Sequence, residues 1–352
     1  MSIKGQINKK FFKSAVLFKN NKPLKIIKLN FKKPEKNQVL VKINYSGFCS
    51  SQYGEIIGIK GKDKFLPHCL GHEAFGKITD VGSGVTKVKK NDQVVLHWMK
   101  SSGSDCRKIH YKSERGLSIN SGKITTFSYF TLVSQNRVTK IPKNKYSPKI
   151  LPLMGCSISV GISTLEKIAK IRRDKNILIL GSGALGLPMI HYCKHGGLKN
   201  IEILEQNKLA AKKATNFGAT KVYNSLDNSK LKYNLSRNFY DYICDTTGSS
   251  KLITSILGFP IFCKFIFLGV PRFNEKFKVN SLKINYGLKL LGSYGGNFNP
   301  QKDLVRYLNL LKKTKFNFRD YIYKVYNFNK INNLIKDYKK NKVIGKALIK
   351  FN

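Results

Sequence analysis

Ile177-Leu178-Ile179-Leu180-Gly181-Ser182-Gly183-Ala184-Leu185-Gly186 is an apolar run that breaks into a complete G-x-G-x-x-G pattern. An unbroken apolar run of this length suits a parallel strand buried on both faces. A glycine pattern directly after such a strand, opening a helix, is the context in which it carries a mechanism. The first glycine permits the tight turn, the second lets a pyrophosphate approach the backbone, and the third lets helix pack on strand. The helix N-terminus adds a partial positive charge. Gly181, Gly183, Ala184, Leu185 and Gly186 are therefore candidate cofactor-binding residues. The next apolar segment, Ile201 to Leu204, ends at Glu205. A carboxylate about twenty residues beyond the glycines can accept hydrogen bonds from ribose hydroxyls. It would repel a 2′-phosphate, so Glu205 favours NAD over NADP, a preference that Lys208 softens. The bland alternative is a glycine-rich turn in an α/β domain that binds no dinucleotide.

Outward from this point the pattern repeats. Leu185 to His195 has helical spacing and stops at Gly196-Gly197, and Lys208 to Phe217 forms a second helix closed by Gly218. Tyr240 to Cys244 and Phe265 to Leu268 read as later strands of the same sheet, giving a doubly wound α/β domain. Before about residue 150 the chain is cut into short β-like pieces, among them Ala15–Phe18, Leu24–Ile27 and Val39–Ile43, separated by turn residues. This half predicts a barrel-like β domain. After residue 298, Asp303–Lys312 and Ile331–Lys340 predict helices and Ala347–Phe351 a last strand. Two domains also suit a length of 352 residues.

Composition narrows the class. No apolar run reaches the roughly 18 residues needed to cross a bilayer, so no membrane association is expected. Met1 to Ser14 carries lysines but no apolar core of a secretory signal. Seven cysteines, odd in number and widely spaced, argue against a disulfide framework. The expectation is a soluble cytoplasmic protein in which Cys193, Cys244 and Cys263 are core residues. The net charge is +46, from 65 basic and 19 acidic residues. Such a charge suggests a nucleic-acid partner. Yet only nine of the basic residues are Arg, the lysines are evenly spread, and Asn, Ile, Phe and Tyr are abundant with them. AT-rich coding accounts for that pattern, and no specific nucleic acid is expected.

Three further segments carry metal-ligand residues: Ser46 to Gln52 around Cys49, Pro67 to Gly76 around His72 and Glu73, and Met154 to Gly161 around Cys156. Each residue alone is an ordinary core Cys or His, and spacing alone does not unite them. A Cys, His and Cys set beside a dinucleotide fold would suit a catalytic zinc with an open fourth position.

With Gly71-His72-Glu73, Gly76, Val81-Gly82-Ser83-Gly84-Val85, the Gly155-Cys156 to Gly161 segment, the glycine fingerprint and Gly345-Lys346-Ala347-Leu348-Ile349, the chain resembles the medium-chain dehydrogenase/reductase superfamily. The resemblance is to its zinc-containing alcohol dehydrogenases, class III-like, and covers essentially the whole length. It implies an α/β fold, a GroES-like β-barrel catalytic domain plus a Rossmann doubly wound parallel sheet. The domains expected are 1–155 completed by 299–352, and 156–298. It implies Cys49, His72 and Cys156 as zinc ligands, with Glu73 behind the metal. Ser51 would start a proton relay, Trp98 would wall the substrate pocket, and Lys346 would meet the cofactor pyrophosphate. The implied reaction is hydride transfer between NAD(H) and a small-molecule alcohol or carbonyl, in a homodimer or homotetramer.

The sequence departs from the family's pattern at several positions. Gln52 replaces an aspartate that orients the histidine ligand, and its carbonyl is expected to accept from the imidazole instead. Gly54 replaces the histidine that ends the relay, and Val160 a hydroxyl residue near the nicotinamide. Cys106 is alone between Cys69 and Cys156, so the four-cysteine structural-zinc lobe is missing and one zinc per subunit is expected. Ser101 to Lys123 is expected to be a polar insertion or loop. His68 and Cys69 are expected in a loop role, and His97 either touches substrate or fills the cleft. Competing readings are a polyol or sugar dehydrogenase, a zinc-free quinone or enoyl reductase, and a non-catalytic basic nucleic-acid-binding protein.

Overall fold

The computed structural model describes residues 10–352 except Lys108 and Asn144; the lysine-bearing segment Met1–Lys9 lies outside the described residues. The chain divides into two compact units. The first runs through Cys156 and takes in 299–308 and 324–352; the second comprises 157–298 and 309–323.

The first unit is built on strands β1 (Phe11–Leu17), β2 (Lys25–Asn30), β3 (Gln38–Phe48), β4 (His68–Cys69), β5 (Ala74–Val81), β6 (Gln93–Leu96), β7 (Ile109–Lys112), β8 (Ser118–Gly122), β9 (Phe130–Ser134) and β10 (Val138–Lys140). One sheet has the order β2-β1-β4-β8-β7. In the other, β3 is flanked by β5 and also pairs with β9 and with β18 (Lys346–Lys350), far along the chain. Ala347 lies opposite Phe48 in that ladder, which brings Lys346 beside the end of β3. Short helix α1 (Ser50–Ile56) follows β3 at once.

The segment 101–123 departs from the expected polar loop. β7 and β8 form an antiparallel hairpin there, and Ile109, Tyr111 and Ile119 are buried against Phe12, Val16, Leu29 and Leu132. Apolar burial on one face stabilises the hairpin, while His110 and Lys112 point outward.

The second unit is a parallel sheet of six strands: β11 (Asn176–Leu180), β12 (Asn200–Leu204), β13 (Lys221–Tyr223), β14 (Tyr242–Asp245), β15 (Lys264–Phe267) and β16 (Lys289–Gly292). Their order is β13-β12-β11-β14-β15-β16, the doubly wound arrangement. Strand β11 is paired on both sides, and Ile177 to Leu180 are fully buried, as their unbroken apolar run requires. Helices α2 (Ser157–Ser163), α3 (Gly186–His195), α4 (Lys208–Phe217), α5 (Ser229–Ser236) and α6 (Ser250–Gly258) complete it. Local chemistry sets their ends: Asn207 caps α4 by accepting from the Leu209 and Ala210 N–H groups, and Gly218 ends it at φ 115°. Cys193, Cys244 and Cys263 are core residues, and burial pushes all three thiols up in pKa. Among the described residues, no helix is long and apolar enough to cross a membrane.

One buried charge interrupts the apolar run of β12. Glu202 Oε2 accepts from the hydroxyls of Tyr223 (2.8 Å) and Tyr240 (2.5 Å) and from Asn234 Nδ2 (3.2 Å). These donors hold the carboxylate in a nearly dry site. Replacing it leaves hydroxyls unpaired, at a cost of about 1–3 kcal/mol each. Glu202→Leu should therefore lower unfolding stability by roughly 3 kcal/mol and Tyr223→Phe by about 1 kcal/mol in urea titrations. A loss under about 1 kcal/mol for Glu202→Leu would show that the network does not hold the sheet.

Candidate active site

Four side chains from distant parts of the sequence converge in the first unit. Cys49 stands between β3 and α1, in extended conformation at φ −94° and ψ 146°. His72 and Glu73 lie on the link from β4 to β5, and Cys156 follows the 3-10 turn Leu151–Gly155. One possible metal-ligating atom of each lies within 4.8 Å of the others. Sheet pairing explains the convergence: β3 and β5 are neighbours, with Ser46 opposite Ala74, so the end of one strand meets the start of the other.

The electrostatics of this cluster favour a cation. Among the described residues, the buried His72 Nε2 and Glu73 Oε2 have no hydrogen-bond partner. Glu73 is fully buried, and burial raises its carboxyl pKa against the opposing effect of Lys346. The two thiols share a hydrogen bond that holds Cys49 well below the ordinary thiol value; burial opposes this, while Lys346 and His72 add to it. The same bond, with burial, raises Cys156. A thiolate, a second thiol, an imidazole and a carboxylate fit a zinc-type ion, which borderline-soft sulfur and nitrogen donors select over magnesium or calcium.

Ser51 is half-buried on the first turn of α1, two residues after Cys49. Gln52 behaves differently from expectation. Its Oε1 accepts the Gly71 N–H and its Nε2 donates to Glu55 Oε2 at 3.0 Å, so the carbonyl braces the backbone before His72 rather than the imidazole. At Gly54 a Cβ would stand 2.6 Å from Ile59 Cδ1, so a side chain there would need the Ile59 side chain to turn away.

Lys346, expected at the cofactor pyrophosphate, lies beside Glu73. Its side chain is fully buried and its ammonium pairs with Glu73 Oε1 at 2.5 Å, so its charge is directed toward Glu73 and the cluster around it. Trp98 is half-buried, and its carbonyl accepts from the Arg137 guanidinium, which also makes a fork to Asp105 at 2.8 and 2.7 Å. Burial raises the Asp105 carboxyl, but Arg137 and Lys123 outweigh it and bring it down to about 2. His97 is a packing residue. It is fully buried, with Nδ1 on Met99 O (2.6 Å) and Nε2 on Thr139 Oγ1 (3.0 Å). Cys69 is buried on β4 against Ser14, not in a loop.

In the second unit the glycine loop leaves the carboxyl end of β11, between neighbours β12 and β14. Gly181 adopts φ 90°, and a Cβ on Gly186 would stand 2.2 Å from Gly181 O, so turn and helix can meet only at glycine. Glu205 belongs to the same loop system. Its Oε2 accepts from Ser182 N (2.8 Å) and Oγ (3.1 Å), and its Oε1 from Asn207 N (2.9 Å). Thr246, after β14, donates to Leu180 O at 2.7 Å and ties that loop to the fingerprint. Ser182 and Thr246 carried no sequence signal beyond their places in turns.

Residues 35–143 match the family model for the alcohol dehydrogenase GroES-like domain. Alcohol dehydrogenase 2 of Zea mays is 25% identical over 354 residues, covering 91% of this chain and 92% of that protein. Benzyl alcohol dehydrogenase from Acinetobacter calcoaceticus superposes with a TM-score of 0.85 at 22% identity, covering 98% of this chain and 100% of that one. An alcohol dehydrogenase from E. coli, solved with NADH, gives 0.80 at 19% identity, over 97% of this chain and 100% of its own. The fold is thus an alcohol dehydrogenase GroES-like domain with a Rossmann parallel sheet, and over nine-tenths of its length the chain is similar to alcohol dehydrogenases.

Proposed function

We propose that this protein is a zinc-dependent oxidoreductase that moves a hydride between NAD(H) and an alcohol, or the corresponding aldehyde or ketone. The observation that carries the reading is the buried Cys49, His72, Glu73 and Cys156 cluster in a chain that also holds the strand, glycine-loop and helix cradle. Cys49, His72 and Cys156 would hold one catalytic zinc per chain, with Glu73 behind it. When bound, zinc supplies a Lewis acid at the substrate oxygen and the nicotinamide a hydride acceptor.

The chain's own residues do the rest. Ser51 accepts the alcohol proton, and because Gly54 carries no side chain to extend a relay, the proton passes on by a short route or by water. Trp98, its carbonyl fixed by Arg137, walls the substrate pocket. Gly181, Gly183, Ala184, Leu185 and Gly186 receive the pyrophosphate, and Glu205 the ribose hydroxyls. The carboxylate disfavours a 2′-phosphate, which supports NAD over NADP. Seven free thiols suit a reducing cytoplasm. Among the described residues no strand pairs with the outer edge of β16, and this edge, with Leu282, Ile284 and Tyr286 exposed just before it in sequence, supports a homodimer or homotetramer.

Metal analysis with an NAD⁺-reduction screen over alcohols, polyols and aldehydes tests the central claim. His72→Ala should remove one zinc equivalent and lower kcat/KM at least about a hundredfold, a loss of roughly 2.7 kcal/mol of transition-state stabilisation. Full activity in the zinc-depleted variant would sink the reading. Ser51→Ala should keep its zinc while kcat drops about 10²-fold, the scale of lost general acid–base catalysis; an unchanged kcat would remove Ser51 from the proton route. Glu205→Lys should shift the ratio of NADH to NADPH affinity by about tenfold or more toward NADPH in fluorescence titrations. An unchanged ratio would show that Glu205 only braces Ser182.

A further inference from the structure

The first unit contains a second group of metal-ligating side chains, on the far side of Gln52 from the cysteines in the hydrogen-bond sequence. Glu55 lies in the last turn of α1, Asp63 in the loop that follows, and His68 at the start of β4, with one possible ligand atom of each within 4.8 Å of the others. Side-chain exposure is 8% for His68 and 11% for Asp63, so this is not a solvated surface patch.

The imidazole is flanked by acceptors on both sides. Its Nδ1 meets Cys69 O at 2.9 Å and its Nε2 meets Asp63 Oδ2 at 2.8 Å. Such a ring needs either two hydrogens, or one hydrogen at Nδ1 and a cation at Nε2. The second arrangement is the usual one for a metal-ligating histidine, whose other nitrogen donates to a carbonyl. Both carboxylates are already oriented: Asp63 Oδ1 accepts the Phe65 N–H at 2.9 Å, and Glu55 Oε2 accepts from Gln52 Nε2 at 3.0 Å. Two of only nineteen acidic residues meet here, in a loop that also carries Lys60, Lys62 and Lys64, yet Asp63 pairs with the imidazole.

We propose that Glu55, Asp63 and His68 form a second site for a divalent cation of the zinc class, separate from the cysteine cluster. Two carboxylates and an imidazole give three protein ligands and neutralise a 2+ ion. With metal–ligand bonds of about 2.0–2.2 Å at a tetrahedral angle, the imidazole nitrogen and carboxylate oxygen stand roughly 3.3 Å apart. Asp63 Oδ2 stands 2.8 Å from the imidazole Nε2, so the two must part by about half an ångström to share an ion. The cation would fasten the loop between α1 and β4. Through Glu55 and Gln52 it would also brace Gly71, the residue before His72.

The inference goes beyond the proposed activity and does not depend on it, because each site can be emptied alone. The test is zinc content per chain of the full-length protein after dialysis against buffered zinc. Wild type should hold two equivalents, Asp63→Asn/His68→Gln one, and Cys49→Ser/Cys156→Ser one. Cobalt substituted into the variant lacking Cys49 and Cys156 should give ligand-field bands without thiolate-to-cobalt charge transfer, which marks an oxygen and nitrogen site. Where the double loop variant does not fold, Glu55→Gln should raise the zinc dissociation constant of this site at least tenfold in a chelator competition. A Cys49→Ser/Cys156→Ser variant that binds no zinc, a metal count unchanged in Asp63→Asn/His68→Gln, or unaltered affinity in Glu55→Gln would overturn the proposal. An empty cysteine cluster with a loaded loop would overturn the proposed activity and leave this one standing.

Discussion

The ion pair between Glu73 and Lys346 is the constraint around which the first unit is arranged. Both side chains are fully excluded from solvent, so neither charge is tolerable without the other. Glu73 belongs to the β4–β5 link and Lys346 to the start of β18, and the two can meet only if β18 adds to β3 in the observed register. That register in turn sets Phe48, and with it Cys49, against the last strand. The pair also supplies a fixed positive charge beside two thiols and an imidazole, which helps to hold Cys49 toward its thiolate. Structure and site chemistry therefore depend on the same contact.

The second unit was more legible in the sequence than the first, and the reason is locality. Ile177 to Leu180 announced a two-sided strand because all four residues are apolar, and Lys208 to Phe217 announced a helix because its cap and its terminal glycine are neighbours in sequence. The turn at Gly181 to Gly186 is likewise defined by residues within one short segment. In the first unit, the ladder between β3 and β18 joins residues about three hundred positions apart, which no window along the chain can detect. The hairpin of β7 and β8 was hidden among polar residues, although the alternation in Ile109-His110-Tyr111-Lys112 is the trace it left. Its buried side chains recover the period of two only once a partner sheet is known.

The site residues divide along the same line. Cys49, His72, Glu73 and Cys156 were recognisable by resemblance, and their convergence is a matter of sheet pairing that residue types alone do not encode. Lys346 was legible as a basic residue near a site but not in its direction, since burial against Glu73 is a tertiary fact. Gln52 looked like a weakened partner for His72, whereas it bridges Gly71 and Glu55. The amide supplies an acceptor and a donor at once, which a carboxylate in the same place would not. The large positive charge has a plain spatial description: among the described residues, Arg137 and Lys346 are the arginine and lysine side chains that are buried.

The interleaving of the two units has a consequence for the order in which the chain becomes available during synthesis. Residues 157–298 and 309–323 emerge from the ribosome before β18 does. The Rossmann sheet can therefore assemble while the β unit still lacks the strand that neutralises Glu73. Until then a nascent chain carries its thiols and His72 without their cationic neighbour, on a surface that has not closed. The last segment of the β unit is thus made after the last segment of the other, although most of the β unit is made first.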